Sequence, residues 1–249
     1  LARLNAGETV DYIPGSLADF DLVLSYAGGS TLDQLRFRLG ARRVEPLYGH
    51  VDPDIHHRVP PIESYRADLS YLGTFSPDRQ PALDALFLTP AGARPDMRFV
   101  IGGAQYPAEF PWSENIYFVR HLPPDEHPSF YSSSRLTLNL TRRAMAELGW
   151  CPSGRLFEAA ACGVPVLSDE WTGLHTFFTP GTEILVSRGP EDTIKALDLG
   201  EAALRQIGEA ARERVYAEHT SAHRAAQLMQ LLESRPRQTR PAAAATAWG

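Results

Sequence analysis

The chain has 249 residues, 43% of them hydrophobic and 22% charged, with a formal net charge of −6. That is the balance of a soluble globular protein of one large or two small domains. It excludes a bulk basic field for nucleic acid or an anionic membrane, so a polyanionic ligand must be held by a local cluster of arginines and backbone N–H groups. Two cysteines, Cys151 and Cys162, exclude a disulfide framework. No apolar run is long enough for a transmembrane segment and no stretch reads as a signal peptide, so the expected location is cytoplasmic. The chain begins with Leu1 rather than Met, in mid-pattern, as a piece of a longer protein would.

In chain order, short apolar runs predict strands at Asp21–Tyr26, Val44–Tyr48, Leu69–Leu72, Met97–Ile101, Ile116–Val119, Leu136–Leu140, Val164–Leu167 and Ile184–Val186. Helical patterns lie between them, such as Leu32–Leu39 and Arg79–Leu88, and helix is expected again from Glu201 to Glu233. Strands alternating with helices predict an α/β fold, a Rossmann-like doubly wound parallel sheet covered on both faces. The stretch 52–66 holds three prolines and no period, and reads as a linker. The expected division is 1–60 as the remnant of an N-terminal domain with its linker, 61–233 as the Rossmann-like domain with C-terminal helices, and 234–249 as a disordered, alanine-rich tail.

The segment SGRLFEAAACGVPVLSD, Ser153 to Asp169, carries the most chemistry. Ser153-Gly154 stands where a helix starts, Arg155 to Cys162 forms it, Gly163 stops it, Pro165 prevents its resumption, and a strand follows. A helix N-terminus preceded by Ser-Gly offers free N–H groups and a positive dipole end, both suited to phosphate. Glu158, one turn further in, can accept hydrogen bonds from the vicinal hydroxyls of a ribose. The plainer alternative is that Glu158 pairs with Arg155 and that Ser153 is only an N-cap.

Other candidates have plain readings as well. Asp52-Pro53-Asp54 matches a D-x-D metal and diphosphate pattern, yet it falls in the linker, and no metal site is expected. None of the eight histidines belongs to a zinc pattern; His56 and His57 read as exposed-loop residues, and His127 and His175 as surface or capping residues. Cys162 reads as a small buried side chain, and Cys151 as reactive only if exposed. Gly28-Gly29-Ser30-Thr31 is either a loop facing a ligand or a tight strand-to-helix turn.

The run from Glu158 resembles the donor-site signature of GT-B glycosyltransferases, a glutamate opening an "EA-small-small-G-x-P-V" stretch. With YLGTFSPDRQPAL from Tyr71, FVIGGAQYP from Phe99, HLPPDEHPSFY from His121, LNLTRRAM from Leu138 and DEWTGLHTFFTPGTEILV from Asp169, the chain is similar to the CgeB-like (spore-maturation-type) branch, over roughly 21–199. The resemblance implies that Glu158 holds the ribose of a nucleotide-diphosphate sugar, and that Gly73, Thr74, Arg79, Thr141, Arg142, Ser153, Gly154 and Arg155 face its diphosphate. It implies that His121 and Leu122 contact the base. It implies a glycosyltransferase, metal-independent and needing no cofactor, whose partners are the donor and an acceptor of unknown kind (protein, glycan or small molecule). Many retaining relatives carry a second glutamate eight positions before the ribose-binding one; here that position is Trp150, with Glu147 nearby. Stereochemistry and catalytic base therefore stay open, and this fragment is expected to bind donor better than it turns over. A non-catalytic nucleotide-sugar-binding or interaction module is the alternative, and an epimerase would need an acid/base pair the chain does not show.

Overall fold

The computed structural model describes residues 15–234; the expected tail over 235–249 lies outside the described residues. Two parallel strands, β1 (Val23–Ser25) and β2 (Val44–Pro46), are joined through helix α1 (Ser30–Leu39). β2 ends at Pro46, and the following Leu47 N–H still donates to the Ser25 carbonyl at 2.8 Å. Gly40 ends α1 with φ of 72°, its N–H bonding back to the Arg36 carbonyl at 3.0 Å. The linker then crosses to the larger unit with one short 3-10 turn, Glu63–Tyr65. It is anchored: Arg58 donates to the Gly163 carbonyl at 2.9 Å and pairs with Glu209.

The larger unit holds six strands: β3 (Leu69–Leu72), β4 (Phe99–Gly103), β5 (Ile116–Arg120), β6 (Thr137–Asn139), β7 (Val166–Asp169) and β8 (Leu185–Ser187). All pair in parallel, in the order β5-β4-β3-β6-β7-β8. Counted from the unit's own first strand this is 3-2-1-4-5-6, the doubly wound arrangement, and strand order reverses between β3 and β6. Ligands in such sheets bind beyond the carboxyl ends of the strands at that reversal. The central strands carry buried polar residues that bond across the sheet: Ser70 Oγ donates to Thr137 Oγ1 at 2.8 Å, and Asn139 to Ser168 Oγ of β7 at 3.1 Å.

Helices cover both faces. On one lie α2, made of Gln80–Leu83, Asp84–Leu88 and Thr89–Ala93 in unbroken succession, and α6 (Pro190–Leu197). The middle turn of α2 is a π turn. Pro90 has no N–H to donate and its ring crowds the carbonyl four residues back; the widened turn absorbs both, so the helix runs past the expected Leu88. On the other face lie α3 (His127–Ser132), α5 (Gly154–Ala161) and α7 (Glu201–Glu218), whose Phe130, Tyr131, Leu156, Phe157, Ala160, Ala211 and Val215 form one buried cluster. Between β6 and α5 stands the short helix α4 (Arg143–Leu148). The three alanines of α5 allow α7 to come close enough that a Cβ on Gly208 would collide with the Gly163 carbonyl.

The helical stretch expected over 201–233 is two helices. It breaks at His219-Thr220, where Thr220 Oγ1 accepts the His223 N–H at 3.4 Å as the N-cap of α8 (Ser221–Glu233). This last helix returns to the first unit. Arg224 donates to the Tyr48 carbonyl at 3.1 Å, Gln227 to the Pro46 carbonyl at 3.0 Å, and Arg43 to the Leu231 carbonyl at 2.8 Å.

Candidate functional site

Helix α5 starts at Gly154 at the sheet's carboxyl edge. Ser153 occupies the N-cap position with extended backbone (φ −69°, ψ 140°), but its hydroxyl makes no capping bond. The side chain therefore does not compete with a ligand for the first-turn N–H groups, which carry the positive end of the helix dipole. Glu158 sits one turn in, and a Cβ on Gly154 would lie 3.7 Å from its Oε1. The pairing with Arg155 does not form; instead His127 Nδ1 stands 3.4 Å from Glu158 Oε2. That contact has ion-pair reach but lacks hydrogen-bond geometry, so the buried Oε2 accepts no hydrogen bond. Burial pushes the Glu158 pKa up, yet His127, His56 and Arg155 together outweigh it and hold the carboxyl below its ordinary value. Glu158 is thus an ionised acceptor at neutral pH.

Three arginines converge on the strand-order reversal. Arg79, at the start of α2, is only 3% exposed; it donates to the Thr74 carbonyl, while its Nε and Nη1 have no partner. Burial, and then the charges of Arg155 and Arg142, lower its pKa, opposed by Tyr71 and Tyr106. The Tyr71 side chain, raised by burial, feels all three arginines as well as Asp169. Arg142 is exposed and Arg155 half-buried, and neither side chain makes an ion pair or hydrogen bond with a described residue. Three cations gathered with only Glu158 nearby and no salt bridge among the described residues keep a net positive charge that favours an anion. Arg79 acts from beneath the Thr74 loop, while Arg142 and Arg155 are open to a ligand.

The remaining expected residues divide. Gly73 follows β3 as expected, but its missing side chain makes room for the Tyr71 ring, and its carbonyl accepts from Tyr106 at 2.9 Å. Thr141 is buried, and both its N–H and hydroxyl donate to Asp169 at 3.0 Å, so its hydroxyl hydrogen is engaged by the protein. Burial raises the Asp169 pKa against those bonds. His121, at φ 55°, is exposed at the end of β5 and its N–H bonds to the Gly103 carbonyl at 2.7 Å. Leu122 is buried in the core cluster with Phe130, leaving its backbone for any ligand contact.

Trp150 ties the two units together. Its N–H donates to the Thr172 carbonyl at 2.7 Å and its carbonyl accepts from Gly28 at 2.9 Å. Its ring lies where Cβ atoms on Gly29 and Gly173 would be, and Gly29 has φ of 55°, so Gly28-Gly29 is a turn fitted under this ring. Glu147 bonds Arg143 at 2.9 Å on the exposed side of α4. Asp52 Oδ1 accepts the Asp54 N–H at 3.0 Å, a local turn within the linker. Both cysteines are buried, and burial with the Glu158 charge pushes the Cys162 thiol up to about 12. Sequence reasoning read His127 as a surface or capping residue and did not single out Tyr131; their spacing of four on α3 is a signal that both face one neighbour.

A family model described as "Glycosyl transferase-like" matches residues 79–230, more than half of the chain. The chain belongs to this glycosyl transferase-like family. The match takes in Arg79, Arg142, α5, Glu158 and most of α8, and leaves out β1–β3. No curated protein sequence matches significantly. Among solved structures, sucrose-phosphate synthase from Thermosynechococcus elongatus is similar at 18% identity and TM-score 0.66, over 87% of this chain and 59% of that one. Anabaena HepE in complex with UDP-glucose is similar at 13% identity and TM-score 0.67, over 87% and 65%. A mutant S. aureus TarM solved with fondaparinux, α-GlcNAc-glycerol and UDP is similar at 10% identity and TM-score 0.67, over 88% and 45%. At these identities the likeness is one of fold, that of GT-B glycosyltransferases, and the chain spans less than two thirds of each of these structures. No helix among the described residues of this family member is long and apolar enough to cross a membrane.

Proposed function

We propose that this chain is the donor-binding half of a glycosyltransferase, closest to the CgeB-like branch, that transfers a sugar from a nucleotide-diphosphate sugar to an acceptor. The observation that carries the reading is the gathering of Arg79, Arg142 and Arg155, none in a salt bridge among the described residues, beside the open N-terminus of α5 and the ionised Glu158. Arg142, Arg155 and the first-turn N–H groups would hold the diphosphate, with Arg79 adding its charge from below. Glu158 would accept the ribose hydroxyls through Oε1, and the segment at His121 would border the base.

In transfer, an acceptor oxygen bonds to the sugar's anomeric carbon as the bond from that carbon to the diphosphate oxygen breaks. The diphosphate leaves with the electron pair, and negative charge grows where the arginines and helix dipole stand. These groups supply the positive charge themselves, which supports a metal-independent mechanism. The acceptor's proton would pass to a base outside the described residues; Glu158 binds and does not serve as that base. Trp150 as an inter-unit strut and Glu147 bound to Arg143 favour a second reading, a module that binds nucleotide sugar without transferring it. An assay of donor hydrolysis and sugar transfer by the longest natural form of the protein, beside its Glu158→Ala variant, separates the two. Transfer abolished by the substitution supports the enzyme; donor binding without turnover supports the module.

A further inference from the structure

We infer that His127 is the positioning residue of the donor site, holding the Glu158 carboxylate so that Oε1 faces the ribose. This rests on the donor reading of Glu158 given above. Helix α3 presents His127 and Tyr131 one turn apart toward α5, their rings edge to face at 6.4 Å. Tyr131 is completely buried and its hydroxyl has no partner. The groups whose charge the Glu158 carboxylate shares are His127 and Tyr131 from α3, His56 from the linker, Arg155 and Cys162 at α5, and Tyr26 at the end of β1. Of these, His127 alone stands within ion-pair distance among the described residues, at 3.4 Å from Oε2.

A carboxylate only accepts, so a hydrogen on Nδ1 would turn this 3.4 Å contact into a hydrogen bond after a small side-chain rotation. That draws Oε2 inward, where it is shielded from solvent, and leaves Oε1 on the Gly154 side. The competing partner is Arg155, three residues earlier on the same helix and without an ion pair among the described residues. With His127 absent, the carboxylate would swing to Arg155, taking an acceptor from the ribose and a donor from the diphosphate at once. His127 keeps the two apart.

The test uses the whole chain, titrated calorimetrically with UDP, GDP and ADP and with the 2′,3′-dideoxy form of whichever binds. His127→Phe keeps a ring against Tyr131 but has no donor; His127→Asn places an amide N–H near the Nδ1 position. Expected is a loss of about tenfold in affinity for the ribonucleotide in His127→Phe, no change for its dideoxy form, and recovery to within about threefold in His127→Asn. Equal affinity of His127→Phe and the parent for the ribonucleotide would overturn the inference. So would an equal loss for both nucleotides, or His127→Asn as weak as His127→Phe. Should His127→Phe not fold, the ribose-to-dideoxy ratio is read on His127→Leu and His127→Asn. Failure of the parent chain to bind any nucleotide sinks the donor reading itself, a result distinct from the others.

Discussion

His219 gives the fold a calculable sensitivity to acid. The residue lies at the break between α7 and α8, with its ring centroid 4.7 Å from Phe157, 6.0 Å from Phe177 and 6.4 Å from Phe178. Arg224 Nη2 stands 2.6 Å from its Nδ1, and a guanidinium can only donate, so Nδ1 is the acceptor and the ring is neutral. Burial, then the charges of Arg224, Arg214 and His223, push the imidazole down from 6.5 to about 4. The unfolded chain takes up this proton first, so between those two values it binds more protons than the native state, and stability rises with pH. The contribution is intact above 6.5 and is lost as pH falls toward 4, where it amounts to about 3 kcal/mol. Between pH 7 and pH 5 the expected loss from this residue is about 2 kcal/mol. Urea denaturation of the parent and of His219→Gln at both pH values measures it. The variant is expected to start less stable at pH 7 and to lose about 2 kcal/mol less on acidification. Equal losses in the two proteins would refute the buried neutral imidazole.

Three further predictions follow from the packing and charge. Arg142→Ala and Arg155→Ala should each weaken nucleoside diphosphate binding by about 1.5–3 kcal/mol and flatten its salt dependence; unchanged affinity in both would remove them from the diphosphate site. Trp150→Ala should cost about 2–3 kcal/mol in denaturant unfolding, since the ring fills the space over Gly29 and Gly173; a change within error would mean the two units do not rely on it. Neither Cys151 nor Cys162 should react with a thiol reagent at neutral pH in the native protein, and both should react in urea; a stoichiometric native reaction would contradict their burial.

The strands and their alternation with helices were legible because each is a local pattern: the eight apolar runs all hold strands, with ends that agree to within two residues. The segment around α5 was legible for the same reason, with Gly163 at φ 71° and Pro165 ending the helix where the sequence places the stop. Long-range contacts were not. The return of α8 to the first unit depends on Arg224 and Gln227 meeting carbonyls of Tyr48 and Pro46, nearly two hundred residues away in sequence. No periodicity within α8 marks that partner. Thr141 was expected to face the diphosphate, but Asp169 from the neighbouring strand takes its hydroxyl; their adjacency follows from the β6–β7 pairing, which is a property of the sheet. The burial of Arg79 and its bond to the Thr74 carbonyl were not legible, because a buried arginine has the same sequence signature as an exposed one. His127 was discounted for lack of a metal or catalytic motif, and only the packing of α3 on α5 brings it to Glu158.

Glu158 and the arginines around α5 are proposed to hold a nucleoside diphosphate. Isothermal titration of the folded chain with UDP, GDP and ADP, repeated on Glu158→Ala, tests it directly. Saturable binding of at least one of the three is expected, weakened by about 1–3 kcal/mol in the variant as the ribose hydrogen bonds are lost. A folded chain that binds none of them, or that binds equally well without the Glu158 carboxylate, would contradict it.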